Sequence, residues 1–158
     1  MATNLVLIGF DGTPAAERAV REAAQLFPGR PALVVTVWEA GRAFDLAMIP
    51  TRGLELPMSG IDIRTVAQVD EAMYNEAKQL ARWGAQLASD QGLPAEPLVV
   101  ADELSVADTL VRLAKEHTAA VMVIGAHHHG RLSELLLGST SRGVLQHTPC
   151  PVLVVRAE

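Results

Sequence analysis

Residues that could bind a ligand follow the first apolar run of the chain, in Gly9-Phe10-Asp11-Gly12-Thr13. Asp11 stands between that run and a helix pattern, and a carboxylate at such a position can accept a hydrogen bond from a ribose hydroxyl. The same carboxylate can instead cap the helix or accept backbone N–H bonds within the turn. Both interpretations of Asp11 stay open on sequence alone.

A second group of candidate residues lies between positions 125 and 141. Gly125, Gly130 and Gly138 permit close approach of the backbone to a ligand. Ser139 and Thr140, at the start of a helix pattern, offer N–H groups and hydroxyls to an anion. A tight turn followed by a helix cap explains the same residues equally well, so this interpretation also stays open.

The sequence predicts no P-loop, metal site or catalytic site. Arg131 and Leu132 stand where a P-loop requires Lys and Ser or Thr. Three consecutive side chains, His127–His129, cannot easily converge on one ion, and no Cys or carboxylate flanks them at ligand spacing. Ser139 has no base marked by a known motif, and Cys150, between two prolines, is typical of an inert core residue.

Five short apolar runs, rich in β-branched residues, predict strands that are covered on both faces. Helix patterns fill the gaps, so that strands and helices alternate along the chain. This alternation indicates one parallel sheet with helices on both faces. The predicted strands are Leu5–Phe10, Leu33–Trp38, Pro97–Ala101, Val121–Gly125 and Val152–Val155.

The helix patterns are bounded by capping residues. The first begins at Thr13-Pro14, an N-cap residue followed by Pro at the first helical position. The second runs from near Thr65 to Ser89, the third begins at Ser105, and the fourth covers part of residues 132–147 with Gly138 inside it. The apolar face predicted for the second helix consists of Val66, Val69, Met73, Ala77, Leu80 and Leu87.

Ligands of open parallel sheets bind beyond the carboxyl ends of the strands, where the strand order reverses. The residues around Asp11 follow the first predicted strand, and those between positions 125 and 141 follow the fourth. We therefore expect both groups of candidate residues at the same edge of the sheet.

Charge and composition exclude several classes of partner. The 158 residues include 13 Lys and Arg and 18 Asp and Glu, for a net charge of −5, which argues against nucleic-acid binding. No apolar run approaches the ~18 residues of a membrane-spanning helix, so we expect no membrane contact. The start of the chain lacks the basic residues of a secretory signal, and the single cysteine fits a reducing compartment. We predict a cytoplasmic protein.

The last predicted strand, Val152–Val155, is expected at an edge of the sheet. A short apolar edge is prone to pair with another strand. Pairing with the same strand of a second copy around a two-fold axis would make a homodimer, whereas a covered edge would leave a monomer.

Two segments of the chain resemble the universal stress protein family. Leu5–Thr13 is similar to the opening strand of the family, and Leu137–Arg156, with its Gly-Ser-Thr-Ser and Thr-Pro-Cys-Pro-Val-Leu-Val-Val, is close to its closing segment. The resemblance covers nearly the whole chain and implies a single domain, 1–158, with a variable insert at about 41–64. It implies an α/β, Rossmann-like fold of the adenine nucleotide alpha hydrolase type, in which one five-stranded parallel sheet of order 3-2-1-4-5 has helices on both faces.

The resemblance also implies an adenine-nucleotide site. ATP-binding members share a loop of form G-x2-G-x9-G-[S/T], which Gly125, Gly138 and Ser139 match, whereas His128 stands at the second glycine. Gly130 could allow a compensating shift of the loop, and His128 could donate to a phosphate. The residues that the resemblance assigns to the site are Asp11 at the adenosine, Val37 at the adenine through its backbone, and Gly125, Gly138, Ser139 and Thr140 at the ribose and phosphates.

Two functions follow from the resemblance. The first is a stress or signalling protein that binds ATP, with or without Mg²⁺, and acts as a homodimer. The alternative is an interaction module of the same fold that binds no nucleotide, because His128 alters the loop. Neither is an enzyme beyond slow ATP hydrolysis, since no general base or pair of Mg²⁺-binding carboxylates is evident. A substrate-adenylating enzyme would need a Ser- and Gly-rich loop after the first strand, which Gly9–Thr13 is not.

Overall fold

The computed structural model describes residues 3–39, 63–102, 104–126 and 138–157. Within these ranges, five strands alternate with four helices, as the apolar runs predict. Most of the insert predicted at about 41–64, together with His128 and Gly130, lies outside the described residues. The elements are β1 (Val6–Gly9), α1 (Pro14–Leu26), β2 (Ala32–Trp38), α2 (Ile63–Asp90), β3 (Ala95–Ala101), α3 (Val106–Glu116), β4 (Val121–Ala126), α4 (Ser139–His147) and β5 (Val152–Arg156).

The strands form one parallel sheet in the order β3-β2-β1-β4-β5, which confirms the predicted fold. The central strand β1 pairs with β2 on one side and with β4 on the other, and Val6 lies opposite both Ala32 and Val121. The next two strands along the chain, β2 and β3, lie on one side of β1, and the last two, β4 and β5, lie on its other side. The order therefore reverses between β1 and β4, where the carboxyl ends of the two strands lie side by side.

Each face of the sheet has its own hydrophobic core. Side chains of a strand alternate between the faces, so Val6, Ile8 and Phe10 pack against α1 and α2, while Leu7 packs against the opposite pair, α3 and α4. The strands β1 and β4 are the most deeply covered, and Val6, Leu7 and Ile8 have no exposed surface. Because these strands are buried on both faces, their sequences are continuous apolar runs and do not alternate between apolar and polar residues.

Two predicted helix starts are confirmed. The Thr13 hydroxyl caps α1 by accepting the N–H of Ala16 at 3.2 Å, and Pro14 occupies the first position of the helix. The Ser105 hydroxyl caps α3 by accepting the N–H of Asp108 at 3.1 Å. Both helices therefore begin directly after the carboxyl edge of the sheet, with their first turns tied down by their own side chains.

The start predicted for the fourth helix is wrong at Gly138. That residue is the N-cap of α4 and has an extended conformation, with φ −58° and ψ 164°, instead of lying inside the helix. Apolar residues on the amino-terminal side of Gly138 suggested a longer helix. The part of that prediction on residues 132–137 lies outside the described residues.

The inner face predicted for α2 is also partly wrong. Its buried residues are small, and Val69, which was expected to face the core, is 43% exposed. Between Arg64 and Glu76 no side chain is fully buried, so the apolar residues there do not mark a core face. The buried residues of α2 are Ala77, Ala81, Gly84, Ala85 and Ala88.

Close approach to the sheet explains why small residues line the inner face of α2. A Cβ atom added at Gly84 would lie 2.8 Å from the Phe10 ring and 2.8 Å from Cγ1 of Val34. Both neighbours are themselves buried and packed against the sheet. Helix α2 can reach this depth only because Gly84 has no side chain.

We therefore predict that Gly84→Ala destabilises the protein, although alanine is the better helix former. Helix propensity alone would stabilise the variant by about 1 kcal/mol, whereas overpacking a core costs about 1–3 kcal/mol. We expect a net loss of about 1 kcal/mol in the free energy of unfolding, measured by urea denaturation. Gln79→Ala, at an exposed position of the same helix, is the control and should be nearly neutral. An increase in stability for Gly84→Ala would contradict the close approach of α2.

Candidate functional site

A cavity of about 180 Å³ opens at the carboxyl ends of β1, β2 and β4, where the strand order reverses. Its walls are mainly apolar side chains, and the polar groups lie at its rim. The described residues that line it are Gly9, Phe10, Asp11, Ala16, Val35, Val37, Val106, Leu110, Ile124, Gly125 and Thr140. An apolar cavity with a few convergent polar groups is the usual form of a small-molecule site.

The carboxylate of Asp11 lies at the rim and is held by the turn that follows it. Its Oδ1 accepts the backbone N–H of Thr13 at 3.1 Å and the Thr13 hydroxyl at 2.6 Å. Since that hydroxyl also accepts from Ala16, a chain of hydrogen bonds joins the carboxylate to the first turn of α1. The turn interpretation of Asp11 is therefore observed, and the same bonds fix the carboxylate at the cavity.

The turn that carries Asp11 is held from the other side by α2. Gly12 has a φ of +77°, and a Cβ atom there would lie 2.7 Å from Cδ2 of Leu80. Trp83, 44% exposed, packs edge-on against Phe10, with ring centroids 5.3 Å apart. Only glycine suits both the positive φ and the close contact, so this turn has little freedom to move.

The backbone of Val37 faces the cavity because β2 extends beyond β1. The last residue of β1 to pair with β2 is Gly9, opposite Val35, and the N–H of Phe10 donates to the Val35 carbonyl at 2.8 Å. In a parallel strand, alternate residues direct their N–H and C=O groups to the same side. Val37 therefore directs both groups toward the space beyond the end of β1.

The close packing of β4 against α1 requires glycine at position 125. A Cβ atom on this residue would lie 2.6 Å from the carbonyl carbon of Ala15 and 2.7 Å from the nitrogen of Ala16. These are backbone atoms of the first turn of α1, which cannot move aside as a side chain can. Gly138 differs, since a Cβ atom there would meet no atom of the described residues within 4 Å.

The start of α4 places backbone N–H donors next to the cavity. Its N-cap Gly138 makes no side-chain hydrogen bond to the first turn, and its carbonyl accepts the N–H of Arg142 at 3.0 Å. The first N–H groups of any helix lack partners within the helix. Thr140, in this first turn, lines the cavity, whereas Ser139 is exposed and lines the neighbouring groove.

Two grooves adjoin the cavity and share residues with it. One lies between the end of β2 and α2, and the other lies between α3 and α4. Val106 lines all three, so they form one continuous depression, which we call the cleft. The acidic residues of the cleft are Asp11, Glu39, Glu76, Asp102 and Asp108.

The structure brings together four of the residues predicted for the site: Asp11, Val37, Gly125 and Thr140 line one cavity. Ser139 and Gly138 stand at its margin. His128 and Gly130 lie outside the described residues. Sequence reasoning missed the apolar walls, because those residues are also ordinary core positions. Gly9 and Phe10 belong to the segment singled out with Asp11. The missed residues lie on four different elements and share no signal beyond their small or apolar side chains: Ala16, Val35, Val106, Leu110 and Ile124.

Comparison with known proteins identifies the family. A sequence model of the universal stress protein family matches residues 3–156. The chain belongs to the universal stress protein family. A universal stress protein of Mycobacterium tuberculosis is 33% identical over 151 residues, which are 96% of this chain and 45% of that protein. The chain thus spans about half the length of this relative.

Solved structures of the family share the fold. A universal stress protein from Archaeoglobus fulgidus in complex with dAMP has a TM-score of 0.64 and 22% identity, and the match covers 98% of this chain and 99% of that one. A universal stress protein in complex with cAMP has a TM-score of 0.63 and 23% identity, with 99% and 98% covered. At these identities the likeness establishes the Rossmann-like architecture of this chain.

No group of three or more His, Cys, Asp or Glu side chains in the described ranges is arranged to hold a metal ion. The three histidines 127–129 lie outside those ranges. None of the described helices is both long enough and apolar enough to span a membrane.

The two glycines that match the nucleotide loop should respond differently to substitution. Gly125→Ala forces a Cβ atom against the α1 backbone, so we expect it to destabilise the ligand-free protein by about 1–3 kcal/mol. Gly138→Ala meets none of the described residues at a non-positive φ and should cost less, about 0.5–1 kcal/mol, as a change of N-cap residue. Urea denaturation without ligand measures both. Equal effects would show that Gly125 is not under the steric constraint described above.

Proposed function

We propose that this universal stress protein binds an adenine nucleotide in the cavity between β1 and β4 and acts as a stress or signalling protein. The observation that carries the proposal is the cavity itself: apolar walls, a fixed carboxylate at one side, and the start of α4 at the other. These three features correspond to the base, ribose and phosphate of a nucleotide. The family members solved with dAMP and cAMP support an adenine ligand.

Each part of the nucleotide has a partner among the described residues. Adenine would lie between the apolar walls, with its polar edge at the backbone N–H and C=O of Val37. A ribose hydroxyl would donate to Asp11, whose orientation the Thr13 bonds already fix. A phosphate would accept from the N–H groups at the start of α4 and from the Thr140 hydroxyl. ATP, with or without Mg²⁺, is one ligand that this arrangement admits.

The chemistry of the cavity favours binding over turnover. Among its described lining residues, Asp11 is the one with a titratable side chain, and its Oδ1 is occupied by two bonds from Thr13. Phosphoryl transfer needs a positioned nucleophile and compensation of the phosphate charge. We therefore propose a binding protein with at most slow ATP hydrolysis. The single cysteine fits the reducing cytoplasm, where we place it.

A second candidate is an interaction module of the same fold without a nucleotide. It is favoured by the finding that two residues matching the nucleotide site have structural roles of their own. Gly125 is needed where β4 meets α1, and Asp11 is engaged in the turn before α1. Their presence is thus explained without a ligand, and His128 departs from the nucleotide loop.

Denaturing freshly purified protein and identifying any released small molecule by mass distinguishes the two candidates. We expect an adenine nucleotide in near-stoichiometric amount, or, if the protein is purified empty, calorimetric binding of added nucleotide. An empty protein that binds neither adenosine nor ATP with Mg²⁺ would favour the interaction module.

A variant pair tests the role proposed for Asp11. Asp11→Ala removes the acceptor for the ribose, and we expect about a tenfold loss of adenosine affinity in calorimetry, since hydrogen bonds to charged groups contribute about 1.5–3 kcal/mol. Thr13→Ala is the control, because it removes the α1 cap and the hydroxyl bond to Asp11 while keeping the carboxylate and its bond from the backbone N–H of residue 13. The control should lose less affinity. Equal losses would mean that Asp11 acts through the turn alone.

We also propose that β5 pairs with its counterpart in a homodimer. Strand β5 is at the edge of the sheet, and the N–H of Met122 in β4 donates to the carbonyl of Pro151 at 2.9 Å. By the alternation of parallel strands, Val152 and Val154 then direct their backbone groups away from β4. A row of outward-facing donors and acceptors on apolar residues is a surface for strand pairing.

Proline at position 154 tests this dimer without disturbing the bonds to β4. Val154→Pro removes one outward N–H from each copy, and we expect the dimer dissociation constant to rise by at least about tenfold, because a net hydrogen bond contributes about 1 kcal/mol. Val154→Ala keeps the N–H and is the control. Sedimentation equilibrium measures both. A proline variant that dimerises as tightly as the control would contradict pairing through β5.

A further inference from the structure

Among the described residues of the cleft, the Asp and Glu side chains have no Lys or Arg beside them in the lining. Among the described residues that line the cavity and its two grooves, five are carboxylates and none is Lys or Arg. His147, at the far end of the α3–α4 groove, is the other titratable side chain. Phosphate groups are anions, so these walls oppose a polyphosphate chain by like-charge repulsion.

The carboxylates are concentrated where a chain of phosphates would extend from α4. Thr140 lines both the cavity and the α3–α4 groove, and that groove also contains Glu39, Asp102 and Asp108. Asp102 and Glu39 follow the paired ends of β3 and β2, since Ala101 lies opposite Trp38. Both are half-buried, which strengthens their field relative to fully exposed charges.

The helix starts at this edge differ in how their first N–H groups are capped. The first turn of α1 is capped by Thr13, and that of α3 is capped by Ser105, whose hydroxyl also bonds the Asp108 carboxylate at 2.6 Å. The start of α4 at Gly138 has no side-chain cap. Each of these caps takes up one N–H of its helix, and Pro14 removes a second donor from α1, so among the described residues α4 offers the largest number of first-turn N–H groups to an incoming anion.

We infer that the site selects adenine nucleotides with a single phosphate over ATP. This inference rests on the adenine-nucleotide function proposed above and adds the charge class of the ligand. One phosphate is bound by the start of α4 and Thr140. The second and third phosphates of ATP meet the carboxylates of the α3–α4 groove, so each added charge lowers the affinity unless a cation neutralises it.

Calorimetric titration of the purified chain with adenosine, AMP, ADP and ATP in EDTA tests this order. We expect AMP to bind most tightly and ATP about tenfold or more weakly than AMP at about 0.02 M salt, with a smaller ratio at about 0.5 M salt, where exposed charges are screened. Mg²⁺ should improve ATP binding and leave AMP binding nearly unchanged.

Charge-neutralising variants test whether the carboxylates cause the selection. Asp102→Asn and Glu39→Gln each remove one negative charge from the α3–α4 groove, and we expect the ratio of ATP to AMP affinity to rise about threefold for each. Glu96→Gln is the matched control, because Glu96 is exposed near the opposite end of β3 and lines none of the cleft. Its ratio should equal that of the unmodified protein.

The outcomes separate this inference from the function on which it rests. ATP binding in EDTA as tight as that of AMP, or variants whose ratio matches the control, would overturn the selection while leaving adenine-nucleotide binding intact. Such a result would mean that cations beyond the described residues compensate the triphosphate. Failure of adenosine and of every nucleotide to bind would instead overturn the proposed function.

Discussion

The geometry of the cleft depends on how closely the end of β4 approaches the first turn of α1. At Gly125 the two backbones are so near that even a methyl group would lie 2.6 Å from the Ala15 carbonyl carbon. Because β1 lies beside β4, this contact brings the turn after β1 next to the end of β4. Asp11 and Gly125 line the same cavity as a consequence.

Contacts with α2 hold the turn after β1 from the side opposite α1. Helix α2 lies deep against the sheet through Gly84, and its Leu80 and Trp83 pack over Gly12 and Phe10. The turn with Asp11 thus contacts α1 through Thr13 and α2 through Gly12, and its hydrogen bonds hold the exposed carboxylate in place. A polar group held in this way before a ligand arrives loses little conformational entropy on binding.

Local sequence signals predicted much of this architecture. Continuous apolar strands gave the parallel sheet, and capping residues gave the starts of α1 and α3, because both signals depend on residues close together in sequence. The inner face of α2 could not be predicted in the same way. Val69 is more apolar than Ala81, yet Ala81 is buried, because depth against the sheet was set by a contact with Phe10 and Val34 far away in sequence.

The residues of the candidate site could also be predicted only in part from local sequence signals. The polar residues Asp11 and Thr140 were found by their type and by their position after a strand or at the start of a helix. The packing role of Gly125 was not, since it depends on Ala15 and Ala16, more than a hundred residues earlier. A glycine that matches a binding motif can therefore be explained by contact with another element, and the sequence alone does not distinguish the two reasons.

The position of the aromatic residues has a practical consequence. The chain contains two tryptophans, and both border the cleft. Trp38 lines the groove beside α2 and contacts the Tyr74 ring at 5.5 Å between centroids, while Trp83 covers Phe10 in the wall of the cavity. Tryptophan fluorescence from this protein therefore originates at the carboxyl edge of the sheet. Its emission maximum and its quenching report on the surroundings of the cleft without an attached label.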